Sequence, residues 1–588
     1  MIKILINRIN YRIMNSKRIG VNIGTIDWTW NLEQARCRFQ WASFSLGLIS
    51  ALILIPPREA KAQLGAMVNP EGAFPVAGLT LSAGTLYGTA QAGGSWGNGT
   101  VFAVNIDGSG FANLHSFMGG SDGMNPYGAL ISSNSTLYGT ANCGGNTGAG
   151  TVFALSAAGT NFVTLHNFAA LGGSPLINSD GAEPYAGVAL SGNRLYGSAE
   201  EGGSAGGGAV FAVNPEGSGF TNLHNFTATM SDGPKLTNSD GFAPQAGLLV
   251  SGNRLYGTAV AGGSGGSGTI FALNADGTGF TNLHNFGARI TNSLGVNTNS
   301  DGAGPVARLV LSSNTLYGTA PNGGSSGNGT IFALNTDGTG FRILHTFSDL
   351  ENHTNSDGAT PHAGLVLSGS TLYGAAEYGG SSGNGTIFAL NSDGTGFTNI
   401  YYFSFLYPPG TNSDGTYPYG TLILSGNTLY GTALFGGDSD SGTVFSLKKD
   451  GTCFTTLHSF ARLAMPQPQL TMTFSAQNLV VSWPANTGSL LYSLESTMDI
   501  QAGSWSPVSF TADLADGLNR VVLAPTSHSQ FFRLKPLVGG CVLNTDCPSG
   551  STCVGGACMI IMGGGGPGFG SGFGFGFGFI GGFGFGMF

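Results

Sequence analysis

From Asp301 to Phe347 the chain reads DGAGPVARLVLSSNTLYGTAPNGGSSGNGTIFALNTDGTGFRILHTF, and this stretch holds one complete structural unit. Four short runs within it are rich in Val, Ile, Leu, Phe, Tyr and Thr: Val306–Leu311, Thr315–Ala320, Thr330–Asn335 and Phe341–Phe347. Gly, Asn and Asp bound each run, so each is a predicted strand. The first pair is joined through Ser312, Ser313 and Asn314, the second through Asn335-Thr336-Asp337-Gly338-Thr339-Gly340. Both joints have tight-hairpin chemistry, because Asn and Gly accept positive φ at little cost.

The unit recurs along the chain. Its Leu-Tyr-Gly triplet places tyrosines at Tyr87, Tyr138, Tyr196, Tyr256, Tyr317, Tyr373 and Tyr430. Twenty-eight residues after each comes His115, His166, His224, His284, His345, Tyr401 or His458. Sixteen residues before each comes an acid followed by Gly: Glu71, Asp122, Asp180, Asp240, Asp301, Asp357 and Asp414. Neither spacing drifts, so each copy is a rigid 45-residue block and the length variation lies between blocks. One small four-stranded sheet cannot bury both its faces, and stacked copies supply the missing cover. Seven copies of four short strands predict an all-β, seven-bladed β-propeller. An open solenoid is the rival, but its end copies should be atypical, and these are ordinary.

The repeat resembles kelch repeats, which carry a Gly-Gly pair after the second strand, as in Gly202-Gly203 and Gly323-Gly324. It is more similar to the bacterial GloVer tandem repeats of the choice-of-anchor group. Their LYGTA, GG, G-T-[VI]-F-A-[LV]-N, DG-[ST]-G-F and LH-x-F elements are met in nearly every copy. The resemblance implies a secreted or surface-exposed propeller-like protein and assigns no activity.

In such a blade the hairpins after strands one and three leave on one face, and the connections after strands two and four on the other. The first class is short and uniform here. The second varies: from the Phe of LH-x-F to the next Asp the intervening residues number 4, 11, 13, 14, 9 and 10. The residues leading into the Gly-Gly pairs vary too, among them Glu200, Glu201, Glu377 and Tyr378. Variable loops gathered on a rigid scaffold make a binding surface. A second variable ring follows the Pro that opens strand one: Val76, Tyr127, Tyr185, Gln245, Val306, His362 and Tyr419. Tyr127, Tyr185, Gln245, His362 and Tyr419 would offer stacking faces and hydrogen-bond groups at the channel mouth, suited to sugars or peptides. Packing around a narrow axis explains the same residues.

The recurrent Asp, often within Asn-Ser-Asp-Gly, suggests Ca²⁺ by its oxygens, but one carboxylate per copy falls short of the six or more a site requires. A turn in which the Asp bonds its own backbone is the simpler expectation. The repeated histidines, spread singly around a rim, are expected to be structural. Seven-bladed kelch-like rings with an attached sandwich include copper radical oxidases, whose two His, two Tyr and Cys set is not met here. No catalytic residue, metal ligand or cofactor is therefore assigned. An enzyme acting on extracellular polysaccharide at the channel mouth stays as an alternative.

Residues 1–62 hold nine of the 21 Lys and Arg and three of the 30 Asp and Glu, so the remainder carries 12 basic and 27 acidic residues. That balance gives no electrostatic footprint for nucleic acid. The uncharged run Trp41–Ile55 follows Arg36 and Arg38 and precedes Ala60-Lys61-Ala62, the order of a secretory signal peptide. At 15 residues it is short for a membrane span, although an anchor helix is the rival reading. The expected partners are thus an extracellular glycan or surface protein, with no integral span after signal cleavage.

Beyond the ring, residues 470–536 carry strand-like runs with Trp483 and Trp505 as core anchors, which looks like a small immunoglobulin- or fibronectin-type sandwich. Cys541, Cys547, Cys553 and Cys558 follow at gaps that suit two disulfides better than zinc. Resemblance to other small disulfide knots implies Cys541–Cys553 and Cys547–Cys558, leaving Cys143 and Cys453 as free thiols. The tail, 563–588, holds 14 Gly, eight Phe and no charge. It reads either as a self-association segment or as a low-complexity end. The expected organisation is a signal peptide at 1–62, the propeller at 63–462, the sandwich at 470–536, the disulfide module at 541–558 and the tail at 563–588.

Overall fold

The computed structural model describes residues 69–462, apart from 174, 233–234, 294 and 407–410, and strand segments between 471 and 560. The expectations for residues 1–62, Cys541, Cys547 and the Gly/Phe tail fall outside the described residues.

Seven four-stranded antiparallel sheets form, each a simple meander of consecutive strands, and together they make a seven-bladed β-propeller. In blade five the strands are Val310–Ser312, Thr315–Ala320, Thr330–Asn335 and Arg342–Thr346. The middle two match the sequence expectation. The first strand is shorter than expected because the segment before it bonds sideways. Thr258 Oγ1 donates to the Pro305 carbonyl at 3.0 Å, and Thr319 Oγ1 donates to the Ala363 carbonyl of the next blade at 2.9 Å. The Thr of LYGTA thus links neighbouring blades, and Ala375 replaces it in blade six.

The Gly of Leu-Tyr-Gly has a packing cause. Gly318 lies directly opposite Phe332 in the sheet register, and a Cβ on Gly318 would sit 2.5 Å from Phe332 Cζ. The missing side chain admits a Phe ring that is fully buried. That Phe meets Phe286 of the preceding blade edge-on, with centroids 5.5 Å apart, and stacks on Phe341 of its own blade at 5.7 Å. Burying one such ring contributes up to about 3 kcal/mol.

The apolar core is accordingly divided into seven clusters, each shared by two neighbouring blades. Tyr256, Ile270 and Phe286 of blade four pack with Leu309, Leu316 and Phe332 of blade five. One cluster joins the two ends of the chain: Leu79, Leu86 and Phe102 of blade one pack with Tyr430, Val444 and Phe460 of blade seven. Asn69 Nδ2 donates to the Ala461 carbonyl at 2.7 Å, and the Phe74 amide donates to the Ser441 carbonyl at 2.9 Å. The ring is closed, and among the described strands each blade is built from consecutive strands of its own copy.

A repeated polar clasp reinforces each seam. His224 Nε2 of blade three meets Asp240 Oδ2 of blade four at 3.0 Å, and its ring stacks on Phe280 at 3.7 Å. The same arrangement recurs at His115–Asp122, His166–Asp180, His284–Asp301 and His345–Asp357. Tyr401 substitutes faithfully: its hydroxyl donates to Asp414 at 2.9 Å while its ring stacks on Phe454. The seventh clasp shuts the ring, with His458 3.3 Å from Glu71 and stacked on Phe111. The recurrent acid is therefore not a self-bonding turn former. That role belongs to the Asn two residues earlier, since Asn238 Oδ1 accepts from the amides of Gly241 and Gly263.

Farther along, Thr471–Ser475, Asn478–Pro484, Leu518–Leu523 and Asp513–Ala515 form one antiparallel sheet. Tyr492–Thr497, Phe531–Pro536 and Ser506–Pro507 form another. Strands Ser551–Val554 and Ala557–Ile560 pair with Cys553 opposite Cys558. Cys453 is an exposed free thiol, whereas Cys143 is disulfide-bonded and not free. Among the described residues no helix is long and apolar enough to cross a membrane.

Candidate functional site

Both variable classes of connection meet on one face. After the Asp-Gly pair, each chain segment bridges to the loop that follows strand two of the same blade, as Phe242 does to Ala261 and Ala359 to Tyr378. Four residues before the bridge, the Asn of Asn-Ser-Asp-Gly accepts the amide of the Gly-Gly loop. The variable residues are thus mounted on an invariant frame.

That frame holds a position the sequence reading missed. The residue before the Pro, three after the acid, has positive φ in every blade: Phe74, Asn125, Glu183, Ala243, Gly304, Thr360 and Tyr417. Six of these seven are not glycine, although side chains there carry strain. Backbone bonds on both sides impose the geometry. The Thr360 amide donates to Asn328 of the preceding blade at 2.8 Å, and its carbonyl accepts from Glu377 at 3.2 Å. The signal was a variable residue at fixed distance from an acid and a Pro.

The residues after the Pro converge at the axis. Tyr127 stacks on Tyr185 with centroids 4.8 Å apart, and His362 stacks on Tyr419 at 4.7 Å. The two pairs join through Tyr185 Oη and Tyr419 Oη, 3.2 Å apart, although these residues belong to blades three and seven. Four side chains from blades two, three, six and seven therefore bridge the axis. Burial raises the phenol pKa of Tyr127, Tyr185 and Tyr419, with nearby glutamates adding to the effect. Gln245 stands beside the bridge and donates to Glu200 Oε1 at 2.7 Å.

Two carboxylates flank the bridge. Glu377 is 1% exposed and its Oε2 bonds His362 Nδ1. Glu200 is half-buried, and burial, opposed by the Gln245 bond and helped by Glu201, pushes its carboxyl up to about 7. Glu377 Oε1 and Glu200 Oε2 are both buried and have no hydrogen-bond partner among the described residues. Tyr378 continues outward as an aromatic arc, 5.1 Å from Tyr417, which leads through Phe435 to Phe74 of blade one. Of the residues singled out from sequence, Tyr127, Tyr185, His362 and Tyr419 form the bridge, Glu200, Gln245 and Glu377 bond beside it, and Tyr378 packs on Tyr417. Glu201 bridges to Ala182 beside Glu200. Among the described residues no three His, Cys, Asp or Glu side chains converge as a metal site.

No curated protein matches the chain. Among solved structures, a protein from Bacteroides uniformis titled a "putative 6-phosphogluconolactonase" is 18% identical, with a TM-score of 0.41 over 65% of this chain and 97% of its own. A puromycin-hydrolyzing peptidase of Mycobacterium tuberculosis is 12% identical, with a TM-score of 0.40 over 71% of this chain and 62% of its own. At these identities and scores neither carries an argument about this chain's chemistry. The family model described as the Gloeobacter/Verrucomicrobia repeat matches residues 55–237, 175–349 and 288–488, and with the seven clasped blades in view the chain belongs to that repeat family.

Proposed function

We propose that the chain is an exported binding or adhesion module that takes a glycan or a surface protein on its variable-connection face. One observation carries this reading: residues that differ from blade to blade are held, at the cost of positive φ, on a frame that does not differ. A scaffold selected for stability alone gains nothing from Tyr417 or Glu183 where Gly304 suffices. The acidic balance and the export-type leader agree with an extracellular ligand. The test is a glycan and surface-protein array probed with the full chain and with the Tyr127→Ala/Tyr185→Ala variant. Binding that the variant loses supports the reading, and binding that it keeps refutes the axial site.

A second reading, an enzyme acting on extracellular polysaccharide, draws on one feature. Glu377 orients His362 through Nδ1, and Nε2 makes no hydrogen bond among the described residues, the arrangement of a positioned general base. Release of reducing ends from polysaccharide, lost in His362→Gln, would favour it. A structural role in envelope or matrix, assembled through 563–588, predicts loss of assembly with unchanged binding when that tail is deleted.

A further inference from the structure

The axial cluster contains buried acceptors that no described residue satisfies. Among the described residues Glu377 Oε1 and Glu200 Oε2 each lack a donor, and the Tyr185 and Tyr419 hydroxyls already bond one another. A buried carboxylate oxygen left without a donor costs more than most missing contacts. Among the described residues the one basic side chain on the pair is His362, which bonds Glu377 Oε2 and leaves Glu377 Oε1 and Glu200 Oε2 uncovered. Arg308, the cation two residues beyond Val306, makes no ion pair among the described residues. Asn142, which occupies in blade two the position of Glu200 and Glu377, is fully buried, and its Nδ2 has no acceptor among the described residues. The vacant hydrogen-bond capacity among the described residues is therefore two carboxyl oxygens and one amide donor.

We propose that this cluster receives a protonated amine, and that the ligand of the variable face is a glycan bearing free amino groups. The proposal rests on the binding reading above and names its ligand class. An ammonium supplies three N–H donors and the opposite charge, which a neutral hydroxyl does not. The surroundings favour cations: beyond residue 62 acidic residues outnumber basic ones 27 to 12. Glu200 is faced by Glu201, Glu183, Gln245, Tyr127 and Tyr185, none of them cationic. A sugar is preferred to a lysine side chain because the variable face also presents aromatic rings, Tyr378 and Tyr417 among them, on which a sugar ring packs.

The test is calorimetric titration of the full chain at pH 6.5 with three probes: the glucosamine tetramer, the N-acetylglucosamine tetramer and tetralysine. Acetylation removes the charge and leaves the sugar. The proposal expects the glucosamine tetramer to bind at least tenfold tighter than its acetylated counterpart. Glu200→Gln and Glu377→Gln should each remove most of that preference, while thermal midpoints show both variants folded. Unchanged preference in both variants would assign the effect to bulk charge and overturn the site. Equal or tighter binding of the acetylated tetramer overturns the amine and leaves the binding reading standing. Tetralysine as the tightest probe overturns the glycan. Failure of all three overturns the inference, and the array alone then decides the binding reading.

Discussion

Replacing Asp240 should unlock one seam of the ring. The Asp240 side chain is 8% exposed. It accepts from His224 Nε2 at 3.0 Å, from the Thr227 amide at 3.1 Å and from Thr227 Oγ1. Net contributions of hydrogen bonds to a charged group are about 1.5–3 kcal/mol each, and they are not additive. Asp240→Ala should therefore cost about 3 kcal/mol, since it also leaves the amide and imidazole without an acceptor. His224→Ala should cost a similar amount, because it loses both the Asp bond and the stacking on Phe280. His224→Tyr should cost less than about 1 kcal/mol, since Tyr401 already performs that substitution in blade six. The assay is urea unfolding of the full chain, with shifts in midpoint compared at equal slope. The pH dependence has a definite sign. Burial raises the Asp240 carboxyl, but the His224 and Thr227 bonds outweigh it and the net shift is downward. The carboxylate's contribution is thus present above the unfolded value near 4 and fades as pH falls through the lower folded value. The gap between wild type and Asp240→Ala should narrow in that acid range. A loss below about 0.5 kcal/mol at pH 7, or a His224→Tyr variant as damaged as His224→Ala, would refute the clasp.

Gly318→Ala forces a methyl against Phe332, so it should destabilise by about 1–3 kcal/mol, and adding Phe332→Leu should recover part of the loss in the same urea assay. Ala375→Thr restores the inter-blade hydroxyl that blade six lacks and should stabilise by about 1 kcal/mol; a destabilised variant would show that the site cannot hold the oxygen. Burial raises the folded Glu200 carboxyl to about 7, so its favourable contribution is held at acid pH and lost as pH rises through that value. Glu200→Gln should accordingly be more stable than wild type at pH 8 by about 3 kcal/mol and indistinguishable near pH 4; the opposite pH trend would contradict the burial argument.

The blades were legible because each motif acts within its own copy. Gly318 faces Phe332 through the register of one hairpin, so a fixed spacing encodes the contact. The clasps were not legible from the same spacing. His224 and Asp240 belong to different copies, and their partnership crosses a connection whose length varies. Within one copy the spacing makes Asp240 look like a turn former, whereas Asn238 does that work and Asp240 reaches the neighbouring blade. The axial bridge was harder still, since Tyr185 and Tyr419 meet only because closure brings blades three and seven together. Residues such as Thr360 and Tyr417 escaped notice because backbone bonds, not side-chain type, set their positive φ.

Ring closure is the premise on which every axial contact depends, and amide hydrogen exchange tests it with an internal control. The Phe74 amide bonds the Ser441 carbonyl across the junction of first and last blades at 2.9 Å, and the Ala243 amide makes the equivalent bond to Gly207 inside the ring at 3.0 Å. A closed ring predicts comparable protection at the two sites. Rapid, unprotected exchange at Phe74 beside a protected Ala243 would mean that the blades form an open stack.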